Sequence, residues 1–172
     1  MPKTVSQIDY EKFLNTVNLI RDKLLLICLK EGGFRIGELL GIKLEDIDFA
    51  EQSISVVFRP DNINNSRAKA GIGRDRVVNM SPSIMSLIDK YISSEWINSN
   101  PQNDFLFTVV KSNTPDGNGK PMDKSTVDSM FRYYSMKVFG FAEKNGKKKT
   151  NKTYTSPPIK AYPCYGTCKS IS

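Results

Sequence analysis

The strongest constraint on this chain is a pair of adjacent glycines. The apolar run Leu24-Leu25-Leu26-Ile27-Cys28-Leu29 reads as the middle of a buried helix, and Gly32-Gly33 ends that helix within a turn. Behind the break stands Phe34-Arg35-Ile36-Gly37-Glu38-Leu39-Leu40-Gly41, where Ile36, Leu39 and Leu40 follow helical spacing, so a second, short helix opens at Arg35 and closes near Gly41. A guanidinium is thereby placed beside residues without side chains, where a backbone or a phosphate can come close, and the fork of donors on arginine suits a phosphate better than lysine would. An exposed arginine on the corner of a helix-turn-helix is the alternative, and this stretch alone does not separate the two.

The rest of the chain is read around that corner. Ser6 caps a helix from about Gln7 to Thr16 with Tyr10, Phe13, Leu14 and Val17 on one face, and the apolar helix follows from about Leu19 to Glu31. After Leu44 and Ile47 the period changes to two: Ile54, Val56 and Phe58 alternate with Ser55 and Val57, which reads as a strand. Between Asn62 and Gly73 lies a polar hairpin region, and a strand from Arg74 to Met80 returns from it. Ser81-Pro82 opens a helix whose stripe Ile84, Leu87, Ile88, Tyr91 and Ile92 belongs to the core. Phe105-Leu106-Phe107 is a short buried segment, Lys111 to Lys120 is a loop, and Asp123 or Ser125 caps a last helix with Val127, Met130, Phe131, Tyr134 and Val138 inward. Past Gly140 the pattern stops, so residues 1–140 read as one folded unit and 141–172 as a lysine-rich, disordered tail.

Composition excludes several classes. At 39% hydrophobic and 25% charged the chain is an ordinary globular one, its longest apolar run is far too short to span a bilayer, and Met1 to Ser6 carries no apolar signal region, so the expectation is a cytoplasmic protein without a membrane partner. Cys28, Cys164 and Cys168 are too few for a disulfide scaffold, and with no histidine in the chain no zinc ligand set can be assembled around them; no metal and no cofactor is expected. The net charge of +7 suggests nucleic acid, but seven lysines against Glu143 after Gly140 carry nearly all of it. The informative charge is local: Arg59, Arg67, Lys69, Arg74 and Arg76, against Asp61 and Asp75, cluster around the hairpin and are the candidate DNA-binding residues.

The run from Gly33 to Leu40, continued by Glu45-Asp46-Ile47-Asp48, resembles the first catalytic-arginine motif of the tyrosine recombinases, the family of phage integrases and transposon recombinases, and the likeness extends from Pro2 to about Gly140. Arg35 falls on the family arginine and Glu38 on the acidic residue that steadies it. Arg67-Ala68-Lys69-Ala70-Gly71 is similar to the Arg-Ala-Lys-x-Gly hairpin of a transposon-borne subgroup, which carries the hairpin lysine onto Lys69. The resemblance implies an α+β, mainly α fold: a helical catalytic domain with a small three-stranded antiparallel sheet, here incomplete at the C-terminus. It also implies double-stranded DNA and further recombinase protomers as partners. Such enzymes join DNA covalently to a tyrosine, and their chemistry needs preplaced cations on the phosphate and an acid for the leaving hydroxyl. Arg35 and Lys69, supported by Glu38, are the candidates here.

The remainder of the expected set is missing. The chain has no histidine and no arginine after Arg132, so the family's His-x-x-Arg segment has no counterpart where Ser156-Pro157-Pro158-Ile159-Lys160-Ala161 stands. Tyr154, Tyr162 and Tyr165 are read as incidental tyrosines, leaving no nucleophile. The expectation is a DNA-binding fragment of a recombinase without strand cleavage of its own, with poor solubility unless a partner covers its apolar surface. A non-catalytic DNA- or partner-binding remnant of a mobile element, and a helix-turn-helix regulator, are the alternatives. The abrupt loss of pattern near Thr153 reads as a frameshift or truncation. Translating the other two frames past the codon for Thr155 should then uncover a His-x-x-Arg run and a later tyrosine; clean absence of both counts against it.

Overall fold

A computed structural model of the chain describes residues 5–66, 75–114, 116–144 and 147–150, the last two strands by their backbone. Helix α1 (Gln7–Thr16) begins where Ser6 Oγ accepts a hydrogen bond from the Asp9 amide at 3.2 Å. Helix α2 (Ile20–Lys30) has no such residue of its own. Its first amides are satisfied from far along the chain: the Glu95 carboxylate accepts from Ile20 N at 2.8 Å and from Arg21 N at 2.9 Å. Leu24, Leu25, Leu26, Cys28 and Leu29 are all buried, which makes α2 the central helix that the apolar run predicts. Burial pushes the Cys28 thiol up to about 12, as befits a small hydrophobe rather than a reactive group.

The glycine break works by two means. A Cβ on Gly32 would stand 2.6 Å from the Phe34 ring and 2.8 Å from the Cys28 carbonyl, and Gly33 holds a φ of 62° that other residues adopt at a cost. Phe34 is thus folded back into the core beneath the turn, and α3 (Ile36–Leu39) starts directly behind it. A 3-10 turn, Leu44–Asp46, leads into a three-stranded antiparallel sheet in the order β1 (Ile47–Asp48), β2 (Ser53–Val56), β3 (Arg76–Asn79). Ile54 faces Ile47 on one side and Val78 on the other, so one face of the sheet is apolar and turned to the helices. The return strand is shorter than the sequence pattern predicts, and residues 67–74 of the hairpin lie outside the described residues.

Helix α4 (Pro82–Tyr91) continues as a single wide turn, Ile92–Trp96, in which hydrogen bonds reach one residue further than in an α-helix. Ser93 and Ser94 both return their hydroxyls to the Lys90 carbonyl there. Helical periodicity predicts no such turn. Within it Glu95 lies at the start of α2, and Trp96 Nε1 donates to the Phe105 carbonyl at 2.9 Å. Leu87 and Ile92, read as core, are half-buried. Helix α5 (Lys124–Phe139) is capped by Asp123, which accepts from Thr126 N at 2.8 Å, and ends at Gly140 with φ 70°. It closes over α1 through edge-on contacts of Phe13 with Phe131 and Phe139. None of the described helices is long and apolar enough to cross a membrane.

One expectation needs correcting. The sequence pattern ends at Gly140, but the backbone goes on to pair β4 (Phe141–Lys144) with β5 (Lys147–Thr150) in an antiparallel hairpin. The run Lys147-Lys148-Lys149, with Glu143 and Lys144 before it, hid the strands from a reading based on apolar periodicity, although Asn145-Gly146 between them is a dipeptide that two-residue hairpins favour. Residue 140 is therefore the end of a helix and not of all regular structure, and 151–172 lie outside the described residues.

The helical layer is held together by a buried polar chain. Arg21, 6% exposed, pairs with Asp22, 2% exposed, at 2.6 Å and donates to the Thr108 carbonyl at 3.2 Å. Tyr134 on α5 donates its hydroxyl to the other Asp22 oxygen at 2.9 Å. Burial, with the Asp22 charge beside it, raises the Tyr134 pKa and keeps the donor protonated. Replacing Tyr134 with Phe removes a donor from a buried charge, and the expected loss is about 1–3 kcal/mol. Urea denaturation should show it as a lower midpoint at unchanged slope.

Candidate nucleic-acid interface

The site begins from a carboxylate that has been taken out of water. Glu38 is 3% exposed, and its two oxygens are met from three directions. The Arg35 amide donates to Oε2 at 3.0 Å, which closes the first turn of α3. Arg76, the first residue of β3, donates Nη2 to the same oxygen at 2.8 Å. The Arg35 guanidinium reaches Oε1 at 3.2 Å through Nη1. A helix corner and a strand start, 38 residues apart, are thus joined through one side chain.

The two arginines are held differently. Arg76 lies over the Phe34 ring, with its guanidinium carbon 5.5 Å from the centroid, and its Nη2 also approaches the Gly33 carbonyl at 3.5 Å. Its position is fixed by three contacts. The Arg35 side chain is 65% exposed, and among the described residues Glu38 is its one partner. Most of its donors face outward, beside a turn where Gly32 and Gly33 carry no side chain to block an approaching group.

The segment carrying Lys69 leaves and returns next to this corner. On its N-terminal side the buried amide of Asn64 donates to the Leu40 carbonyl at 2.8 Å and to the Met122 carbonyl at 2.9 Å, while Asn62 Nδ2 donates to the Ser66 carbonyl at 2.8 Å. On the other side Asp75 accepts from Phe58 N at 3.0 Å, and Arg76 is already on Glu38. Both ends are therefore tied within the neighbourhood of α3. Arg67, Lys69 and Arg74 themselves lie outside the described residues.

Arg59 is not brought to this corner. It makes a two-pronged pair with the buried Asp46, at 2.7 and 2.8 Å, and a third contact with Glu45 at 3.0 Å. The hydrogen bonds that Arg59 donates to Asp46 raise its pKa further, and its charge is met twice over by the acidic pair that follows the Arg35 helix. Charge counting along the sequence grouped Arg59 with Arg76. The partnership of Arg76 with Glu38 and the anchoring by Asn64 were missed, because each joins residues too far apart in the chain for any local pattern to link them.

Electrostatics at Glu38 follow from its partners. Burial works against its charge, but the hydrogen bond from the Arg35 amide and the two guanidiniums outweigh it and hold the carboxyl below its ordinary value. A carboxyl lowered in the folded state adds stability above its unfolded pKa, and that contribution is lost as pH falls through the folded value. Glu38→Gln should therefore be less stable than the parent at neutral pH, with the gap closing as pH falls below about 4.3. Denaturation midpoints measured from pH 7 to pH 3 check this, and a gap independent of pH would contradict it.

Comparison with known proteins identifies the family. Residues 3–147 match the Phage integrase family. Transposase A from transposon Tn554 of Staphylococcus aureus is 29% identical over 130 residues, covering 76% of this chain and 34% of the transposase. Tyrosine recombinase XerA of Pyrococcus horikoshii is 29% identical over 138 residues, covering 80% of this chain and 42% of the recombinase. The chain thus spans between a third and a half of these relatives. Among solved structures, XerA recombinase superposes with a TM-score of 0.60 at 22% identity, over 91% of this chain and 45% of that one. The Tn1549 transposon integrase in complex with circular intermediate DNA superposes with a TM-score of 0.62 at 18% identity, over 91% and 48%. XerH recombinase bound to palindromic difH substrate gives 0.55 at 19% identity, over 84% and 38%. At these identities the structures establish a shared fold, and the match over residues 3–147 establishes descent: the chain belongs to the phage integrase family, the tyrosine recombinases.

Proposed function

We propose that this domain binds duplex DNA by lodging a backbone phosphate against Arg35, with Lys69 donating to the same strand, as part of site-specific recombination or transposition. The observation that carries the reading is the charge balance at Glu38: one buried carboxylate faces two guanidiniums, and the more exposed of them, Arg35, has a surplus of donors. Arginine in that setting suits the bidentate geometry of a phosphate. Lys69 enters through the anchoring of its segment at Ser66 and Asp75 and through its place in the resemblance. Arg67 and Arg74, flanking it, serve as sequence-independent backbone contacts in the same reading, and Arg59 serves the fold.

The solved relatives named above include complexes with DNA and one on a palindromic substrate. A palindrome offers two equivalent half-sites, so a second protomer on the same duplex belongs to this proposal. The compartment is then that of the DNA, the cytoplasm of a cell without a nucleus. Strand cleavage is not part of what these 172 residues do alone. They contain no histidine and no arginine after Arg132, and losing a single charged transition-state donor costs about a hundred- to a thousandfold in rate.

Fluorescence anisotropy with a labelled duplex across a salt series tests the binding. Arg35→Ala and Lys69→Ala should each weaken affinity and lower the slope of log K against log salt by about 1. Unchanged slopes in both variants would remove the phosphate reading. A nicked suicide duplex tests the chemistry: no covalent protein–DNA adduct should form, and its appearance would show that a nucleophile is present.

A further inference from the structure

Arg76 is placed where it decides how Arg35 behaves. Glu38 has the charge to bind one guanidinium tightly, and the distances show which one it holds: 2.8 Å to Arg76 and 3.2 Å to Arg35. Arg76 donates to Oε2 and lies over the Phe34 ring, with its side chain 42% exposed against 65% for Arg35. Arg35 takes the other oxygen with a single nitrogen and leaves the rest of its fork unspent among the described residues. We propose that Arg76 is a positioning residue for Arg35: by neutralising Glu38 from the strand side, it keeps the Arg35 guanidinium on the surface and available to a phosphate.

The alternative states make the point physically. A buried carboxylate cannot be left without a cation, because water no longer solvates it. Without Arg76, the nearest replacement is Arg35, which needs only to swing its fork inward to meet both oxygens. The fork would then be spent on Glu38, and a phosphate would have to compete with a buried, prepaired carboxylate. With Arg76 in place, the pair Glu38 and Arg76 is neutral as a unit, and the charge of Arg35 is surplus. The hydrogen bonds that hold Glu38 ionised are consistent with this division. This inference rests on the phosphate reading of Arg35 and adds a dependence that the reading itself does not contain.

A double-mutant cycle separates the two. Anisotropy of a labelled duplex is measured for the full chain and for Arg35→Ala, Arg76→Ala, the double variant Arg35→Ala/Arg76→Ala, and Arg76→Ala/Glu38→Gln. Positioning predicts that Arg76→Ala lowers the salt slope by as much as Arg35→Ala does, that Arg35→Ala has no further effect in the Arg76→Ala background, and that adding Glu38→Gln to Arg76→Ala restores the affinity by releasing the fork. If Arg76 merely touches DNA itself, or merely supports the fold, the losses add and Glu38→Gln restores nothing; either outcome overturns the proposal. Should Arg76→Ala not fold, as judged by circular dichroism, Arg76→Gln carries the same cycle because the amide keeps a hydrogen bond to Glu38 and removes the charge. Arg76→Lys is the rescue: a slope near the parent's supports the proposal and a slope equal to that of Arg35→Ala overturns it. No effect of Arg35→Ala in the parent chain sinks the phosphate reading and this inference together, whereas an equal effect in both backgrounds sinks this inference alone.

Discussion

A single carboxylate held away from water organises this domain. Glu38 must be met by donors from every side, and the donors come from the Arg35 amide, the Arg35 side chain and Arg76. Satisfying it fixes the opening turn of α3, the start of β3 and the position of Phe34 beneath Arg76 all at once. A buried ion pair adds little net stability when compared with a well-packed apolar substitute. What it adds here is geometry, since a hydrocarbon in place of Glu38 could not dictate where two guanidiniums lie.

The same device recurs wherever the site needs rigidity. Helix α2 borrows the Glu95 carboxylate for its first amides, α3 and the loop before α5 share the Asn64 side chain, and α2 is tied to α5 by Asp22 and Tyr134. Each link joins elements distant in sequence through one buried polar group with its partners satisfied. Apolar contacts alone would let α3 slide against the helices behind it at small cost. Hydrogen bonds of this kind give the corner one arrangement, because any shift leaves a buried donor or acceptor unpaired.

How much of this was legible in the sequence depends on range. The Ser6 and Asp123 caps, the stripe of α4, the break at Gly32-Gly33 and the alternation around Ile54 are local signals, and the structure has these elements, with the strand at Ile54 ending at Val56 before Phe58. The wide turn at Ile92–Trp96 breaks helical spacing and carries Glu95, whose contact with α2 spans 75 residues, and no window on the sequence holds that information. The hairpin after Gly140 was hidden by lysines where an apolar alternation was sought. At the site, Arg35 and Glu38 three residues apart could be paired by reading, while Arg76 could be recognised as basic but not as the partner of Glu38.

Arg59 and Arg76 show why a count of basic residues is a poor map of a nucleic-acid surface. Both flank the same strand pair, both carry one charge, and both are drawn from the same cluster in the sequence. Arg59 faces Asp46 and Glu45, so that group as a whole is negative by one charge. Arg76 and Arg35 together face Glu38, and that group is positive by one charge. An incoming phosphate responds to the sum over each group, and near a low-dielectric wall the difference is felt more strongly than in open water. Of these two groups the cationic one is therefore at the glycine corner, where a carboxylate is outnumbered, and not at Arg59.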